Sequence, residues 1–155
     1  MDYKVIATVF FSSMLPIVEL RGGIPLGIAL GMSYLEAAGL CIIGSTLIVP
    51  VVFFAVRPIF NFFLSRNLFE HRINNFIERT LRKSSKVKKY GFWGLFLFVG
   101  IPLPGTGAWT GTLLAILLDI RFKSTFFAVL LGNILASLII LMLTHSSIML
   151  IDWAR

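Results

Sequence analysis

The sequence predicts an all-α integral membrane protein, in which a re-entrant helical hairpin and a transmembrane helix occur twice in opposite orientations with an amphipathic helix between them. The first observation is composition: 57% of the 155 residues are hydrophobic and 14% are charged, and the mean hydropathy is +0.92. Such a chain has too little polar surface for a soluble globule. The second is a set of apolar runs of bilayer length, two of them interrupted. The third is an internal repeat. We expect residues 1–155 to form a single membrane domain.

Two long apolar segments, residues 35–56 and 126–144, are predicted to span the bilayer. At about 1.5 Å per residue the first is about 33 Å long, which is enough to cross. Two further segments, residues 5–30 and 92–118, are interrupted by Pro16 and Gly22-Gly23 and by the stretch IPLPGTGAWTG. No arm of these segments can cross alone. Each segment is therefore predicted to enter and leave by one face, which a bilayer tolerates only where protein shields the irregular backbone.

An ungapped offset of 88 residues aligns the first half of the chain with the second. It pairs residues of the same type, namely Phe10 with Phe98, Pro16 with Pro104, Gly23 with Gly111 and Gly44 with Gly132. Each half crosses the membrane once, so two halves in tandem must lie in opposite orientations, as in many secondary transporters. The repeats are residues 1–56 and 91–145, separated by residues 57–90 and followed by a tail, residues 146–155.

Charge predicts the topology. Most of the 14 lysine and arginine residues lie between residues 57 and 89, and residues 118–123 carry two more, whereas residues 31–36 carry none. The positive-inside rule then places the central segment in the cytoplasm and both termini outside a multi-pass protein of the cytoplasmic membrane. An apolar stripe in this segment, Leu68, Ile73, Phe76, Ile77 and Leu81, predicts an amphipathic helix on anionic lipid headgroups; a solvated linker is the alternative. The net charge of +7 thus indicates lipid and not nucleic acid as the partner.

Glu19 and Arg21, in the tip of the first hairpin, are the candidate functional pair, because charges at membrane depth are costly. The second tip offers threonine hydroxyls and the backbone amides of PGTG, which can hold an anion. We expect Glu19 to couple transport to a proton or another ion. The candidate substrate-binding residues are Arg21, Gly22, Gly23, Pro25, Pro102, Pro104, Gly105, Thr106, Gly107, Thr110 and Asn133.

Structural alternatives exist for these polar residues. Glu19 and Arg21 would then only neutralise each other and cap broken helix ends, and Asn133 and Ser45 would form hydrogen bonds between helices. No combination of residues supports an enzyme, a metal site or a cofactor: Cys41 is the single cysteine, and His71 and His145 are isolated in sequence. The remaining classes are a transporter or lipid translocase and a non-transporting membrane scaffold.

Two stretches, ELRGGIPLGIALG and FVGIPLPGTGAWTG with the later LLGN, resemble the putative small multidrug export protein family, itself similar to the DedA or VTT-domain superfamily. The resemblance implies two opposed re-entrant hairpins and movement of amphipathic molecules, which in DedA relatives include undecaprenyl phosphate and other phospholipids, with proton or sodium coupling. It implies that Glu19 is the acidic residue of the first hairpin and that Pro102 and Pro104 form the turn of the second. DedA proteins usually carry arginines around that proline, and this chain has none there.

The expected function is therefore a translocase for a small amphipathic substrate, of which an anionic polyprenyl phosphate or phospholipid is the example. Efflux of lipophilic drugs and a scaffold without transport are the alternatives. The oligomeric state stays open at this point, a homodimer included.

Overall fold

The computed structural model describes residues 2–65 and 90–153. In these two ranges the chain is helical and forms no strand. In chain order the helices are α1 (Tyr3–Met14), α2 (Glu19–Ala29), α3 (Tyr34–Ser65), α4 (Phe92–Gly100), α5 (Ala108–Leu117) and α6 (Phe122–Trp153). The predicted all-α class is confirmed.

Two helices are long and apolar enough to cross a membrane. Their apolar windows are Tyr34–Val56 in α3 and Phe122–Ser147 in α6, which agrees with the spans predicted at residues 35–56 and 126–144, the second beginning four residues earlier than expected. Helix α3 continues to Ser65, so helical structure extends into the segment predicted to be a connector. The predicted amphipathic stripe, from Leu68 to Leu81, lies outside the described residues.

Each long helix follows two short ones that could not cross a bilayer. Helices α1 and α2 have 12 and 11 residues, and α4 and α5 have 9 and 10, against the roughly 20 that a span requires. Helices α1 and α2 pack on α3, and α4 packs on α6. The two halves also contact each other, because α5 packs on α3 and α2 packs on α6. The backbone breaks before α2 and before α5 are thereby brought towards each other.

The breaks are shorter than predicted. They comprise residues 15–18 and 101–107, so Pro16 lies in the first as expected, but the prediction of a break at Gly22-Gly23 is wrong because both glycines lie inside α2. A Cβ atom on Gly23 would stand 2.8 Å from Sγ of Cys41 in α3 and 3.4 Å from Cβ of Ser13 in α1. Close approach of three helices therefore offsets the roughly 1 kcal/mol that glycine costs inside a helix.

The connectors α2–α3 and α5–α6 have the same hydrogen bonds 88 residues apart. The Met32 N–H donates to the Gly27 carbonyl over 2.9 Å, and the Ile120 N–H donates to the Ala115 carbonyl over 2.9 Å. Each connector also contains one left-handed residue, Gly31 with φ 88° and Asp119 with φ 52°. These bonds repeat a local structure at the offset that the sequence predicts.

The first arms of the two halves correspond at a different offset. Gly44 of α3 faces the Phe10 carbonyl of α1, and Gly132 of α6 faces the Phe96 carbonyl of α4, with the added Cβ at 3.0 Å in both cases. Phe10 therefore corresponds to Phe96, 86 positions later, and not to Phe98 as the ungapped alignment predicts. The reason is that the second break, residues 101–107, is longer than the first, residues 15–18.

The outer faces of the two long helices remain apolar and uncovered. On α3 the side chains of Ile43, Leu47 and Val51 are exposed, and on α6 those of Leu138 and Met142. Exposed apolar rows of this length are unusual on a soluble monomer. They are the surface expected where a helix contacts lipid tails.

Candidate functional site

Glu19 connects the first hairpin to the second. It opens α2 with φ 47°, and its side chain is only 6% exposed. Its Oε1 accepts a hydrogen bond from the Trp109 N–H, near the start of α5, over 3.3 Å. The first N–H groups of a helix have no partner within the helix and favour a negative charge. The Glu19 carboxylate thus caps a helix of the opposite half.

Two further contacts hold the start of α5 against this carboxylate. Gly107, the residue before α5, has φ 149°, and a Cβ atom there would collide with the carboxylate of Glu19. Only glycine suits both that backbone conformation and that contact. Nε1 of Trp109 donates to the Met14 carbonyl over 2.9 Å, so the indole ties the start of α5 to the end of α1.

Arg21 holds the non-helical turn of the second hairpin. Its Nη1 donates to the Leu103 carbonyl over 2.8 Å and also to the Thr106 carbonyl, and its Nη2 donates to Oγ1 of Thr106 over 2.8 Å. Backbone carbonyls outside a helix must find partners at membrane depth. The guanidinium bonds to two of them with two of its five N–H donors and to the Thr106 hydroxyl with a third.

A cavity of about 390 Å³ lies between the two breaks. Its lining consists of Pro16, Ile17, Glu19, Arg21, Pro102, Leu103, Pro104, Gly105, Thr106 and Thr110. The hydroxyl oxygen of Thr110 is buried and has no hydrogen-bond partner among the described residues. The cavity therefore contains one acid, one base and one unused hydroxyl within walls of proline, isoleucine and leucine.

Most of the predicted site residues line this cavity. The sequence missed three apolar ones, Pro16, Ile17 and Leu103; the break around Pro16 was the signal that could have included the first two. Gly107 lies beneath the Glu19 carboxylate and belongs to the site for that reason. Gly22, Gly23 and Pro25 instead lie within α2, away from the lining.

Asn133 lies between α6 and α3 and not in the cavity lining. Its Nδ2 donates to Oγ1 of Thr46 over 3.1 Å, and Oγ of Ser45 donates to the Ser13 carbonyl over 2.9 Å. Both are hydrogen bonds between helices, the structural alternative for these residues. The Asn133 Oδ1 is buried without a partner among the described residues.

Glu19 and Arg21 take their hydrogen-bond partners from the second hairpin and not from each other. The structural alternative, in which the two residues neutralise each other and cap broken helix ends, therefore holds only in part. Glu19 does cap a helix end, but that helix, α5, belongs to the second half of the chain. Both charged groups remain in the wall of one cavity, where a ligand can compete for their hydrogen bonds. The arrangement suits a polar headgroup attached to an apolar chain.

Comparison with curated proteins and with solved structures finds no match. The sequence model of the family described as "Putative small multi-drug export protein" matches residues 19–139, a range that begins at Glu19 and contains the second break. This is more than half of the chain, and the two long apolar helices agree with a membrane location. The chain therefore belongs to the putative small multi-drug export protein family and is a membrane protein.

Proposed function

We propose that this chain is a multi-pass transporter that moves an amphipathic anion across the cytoplasmic membrane together with a proton. The observation that carries the proposal is that Glu19 and Arg21 line one cavity between two non-helical breaks. With Glu19 ionised, the two charges sum to zero. With Glu19 protonated, the cavity keeps the positive charge of Arg21. Proton and anion then favour each other's binding, and this coupling is reciprocal.

The cavity chemistry suits a phosphate group on an apolar chain, such as a polyprenyl phosphate or a phospholipid. A guanidinium matches the geometry of phosphate oxygens, and the Thr110 hydroxyl adds a donor. Ile17 is 94% exposed and Leu103 56% exposed, so the apolar part of the cavity wall continues onto the protein surface. An acyl or prenyl chain can follow that surface into the bilayer.

The proposed architecture is an inverted repeat of two re-entrant hairpins, with the central segment cytoplasmic and both termini outside. Three findings support it: four helices too short to span, connectors with identical hydrogen bonds, and a broken backbone whose carbonyls are satisfied by Arg21. A shielded break is what a re-entrant segment requires. Proton entry from either side then reaches the same pair of charges.

Export of lipophilic cations is the second candidate, and the printed description of the family favours it. A cation would bind the ionised Glu19 in competition with a proton, so the two would move in opposite directions. The two candidates therefore predict opposite directions of substrate movement under the same proton gradient, and this direction can be measured. An inward proton gradient drives an anion inward by cotransport but drives a cation outward by exchange.

Reconstitution into liposomes tests the proposal. We would measure flux of a polyprenyl phosphate and of tetraphenylphosphonium under an imposed pH gradient, with Glu19→Gln as the variant and Glu36→Gln as the control. Glu36 is exposed, and within the described ranges its carboxylate bonds to the N–H and the hydroxyl of Ser33, over 3.0 Å and 2.7 Å. We expect proton-driven flux of the phosphate that Glu19→Gln abolishes and Glu36→Gln retains. If the cation moves in exchange for protons and the phosphate does not move, the first proposal is wrong and the second candidate is supported.

A further inference from the structure

The carboxylate of Glu19 stands where an anionic substrate would find its best partners. It is buried, it accepts the Trp109 N–H at the start of α5, and Gly107 leaves the space that it fills. Arg21 lines the same cavity, and the Thr110 hydroxyl there is buried without a partner among the described residues.

We infer that Glu19 is the resident occupant of the headgroup site, and that the anionic group of the substrate replaces its carboxylate at the start of α5 when Glu19 is protonated. The inference rests on the proposed function, from which it takes the anionic substrate. It adds where the headgroup binds and names the group of the protein that accepts from the Trp109 N–H before the substrate does. Protonation removes the charge-assisted hydrogen bond to Trp109, which is about twice as strong as a neutral one. The proton comes from solution and stays on Glu19 until the anion leaves.

One proton should accompany each anion because Glu19 is the one acid among the described residues that line the cavity. Helix α2 packs against α1, α3 and α6, and among the described charged groups Arg21 is the one that lines the cavity together with Glu19. Beside Gly23, four residues further along α2, the nearest atoms from α1 and α3 are those of Ser13 and Cys41. Arg21 keeps its charge at any physiological pH. Titration of Glu19 therefore decides whether the anion is bound.

Calorimetry on the full chain in lipid nanodiscs tests the inference. The probe is dihexyl phosphate, a diester that stays a monoanion from pH 5.5 to 8, with dimethyl phosphate to separate headgroup from chain. Measurement in two buffers of different ionisation enthalpy gives the protons taken up on binding. We expect uptake of about one proton and an affinity that falls about tenfold per pH unit where Glu19 is ionised. Glu19→Gln should bind without proton uptake and equally well at every pH, while Glu36→Gln should behave as the unmodified chain.

The outcomes separate the inference from the proposed function. Binding by the unmodified chain with no proton uptake and no pH dependence overturns the inference and also the proton coupling of the proposed function. Proton uptake that Glu19→Gln retains overturns the inference alone, because an acid other than Glu19 then takes up the proton. No binding of either phosphate at any pH overturns both. Proton uptake is measured on the unmodified chain, so the test remains decisive even if Glu19→Gln does not fold. Equal affinity for both phosphates means that the headgroup alone is recognised. Tighter binding of dihexyl phosphate means that the apolar lining also contributes to binding. Either result supports the inference when proton uptake is present.

Discussion

Replacing Arg21 by lysine tests whether the guanidinium holds the second hairpin together. The sequence alone predicts that Arg21→Lys weakens substrate binding and leaves the fold intact. The geometry predicts otherwise, because three hydrogen bonds join Arg21 to Leu103 and Thr106. A lysine ammonium keeps the charge but lacks the planar fork that reaches both residues at once.

The magnitude follows from the bonds that are lost. Hydrogen bonds to charged groups contribute about 1.5–3 kcal/mol each. We expect the ammonium to keep one carbonyl partner and to recover part of the rest through adjustment of the turn, so the net loss is about 2–4 kcal/mol. For a chain of this size 1 kcal/mol corresponds to about 2–4 °C in the melting temperature. Arg21→Lys should therefore lower the melting temperature by about 4–16 °C.

The assay is thermal unfolding in detergent micelles, followed by size-exclusion chromatography of heated samples. Arg121→Lys is the matched control, because Arg121 is exposed and the same change there should leave the melting temperature unaltered. Thr106→Val removes the hydroxyl that accepts from Nη2 of Arg21, and combined with Arg21→Lys its effect should be less than additive. An Arg21→Lys melting temperature equal to that of Arg121→Lys would refute the reasoning.

Three other expectations concern separate parts of the molecule. Gly31 has φ 88° and open space around it, so Gly31→Ala should cost about 1 kcal/mol of backbone strain. Gly39 lies in α3 with equal space around it, and Gly39→Ala should stabilise the protein by about 0.5–1 kcal/mol. Thermal unfolding of both variants checks this, and equal shifts in melting temperature would contradict it. Trp109→Phe leaves the carbonyl at the end of α1 without its donor, and we expect a loss of about 1–2 kcal/mol by the same measurement; no loss would mean that water replaces the indole. A cysteine at position 86 should react with an impermeant reagent only in inside-out vesicles, because basic connectors stay cytoplasmic. Native Cys41 is buried and should not react. Reaction in intact cells would show that the predicted topology is wrong.

The sequence by itself determined the class of the protein, the two long apolar helices and the residues that are costly at membrane depth. Length and hydropathy suffice for α3 and α6, because an uninterrupted apolar run of bilayer length has one stable arrangement in lipid. Pro16 marked the first break correctly, since proline lacks the N–H that a helix interior needs, but Pro25 in α2 and Pro50 in α3 lie inside helices. The resemblance carried by residues 19–31 and 98–111 identified the family that the comparison confirms.

Only the tertiary structure decided what these residues touch. A glycine in the sequence is compatible with a break in a helix and with a close contact between helices. For Gly23 the structure shows the close contact, because Ser13 and Cys41 leave no space for a side chain. Glu19 and Arg21 could be recognised as exceptional from their chemistry alone. Their partners lie 82 to 90 residues away in the other half. Whether the two residues pair with each other or hold the second hairpin depends on how the halves pack. That packing comes from contacts distributed over six helices, and no local pattern of residues encodes it.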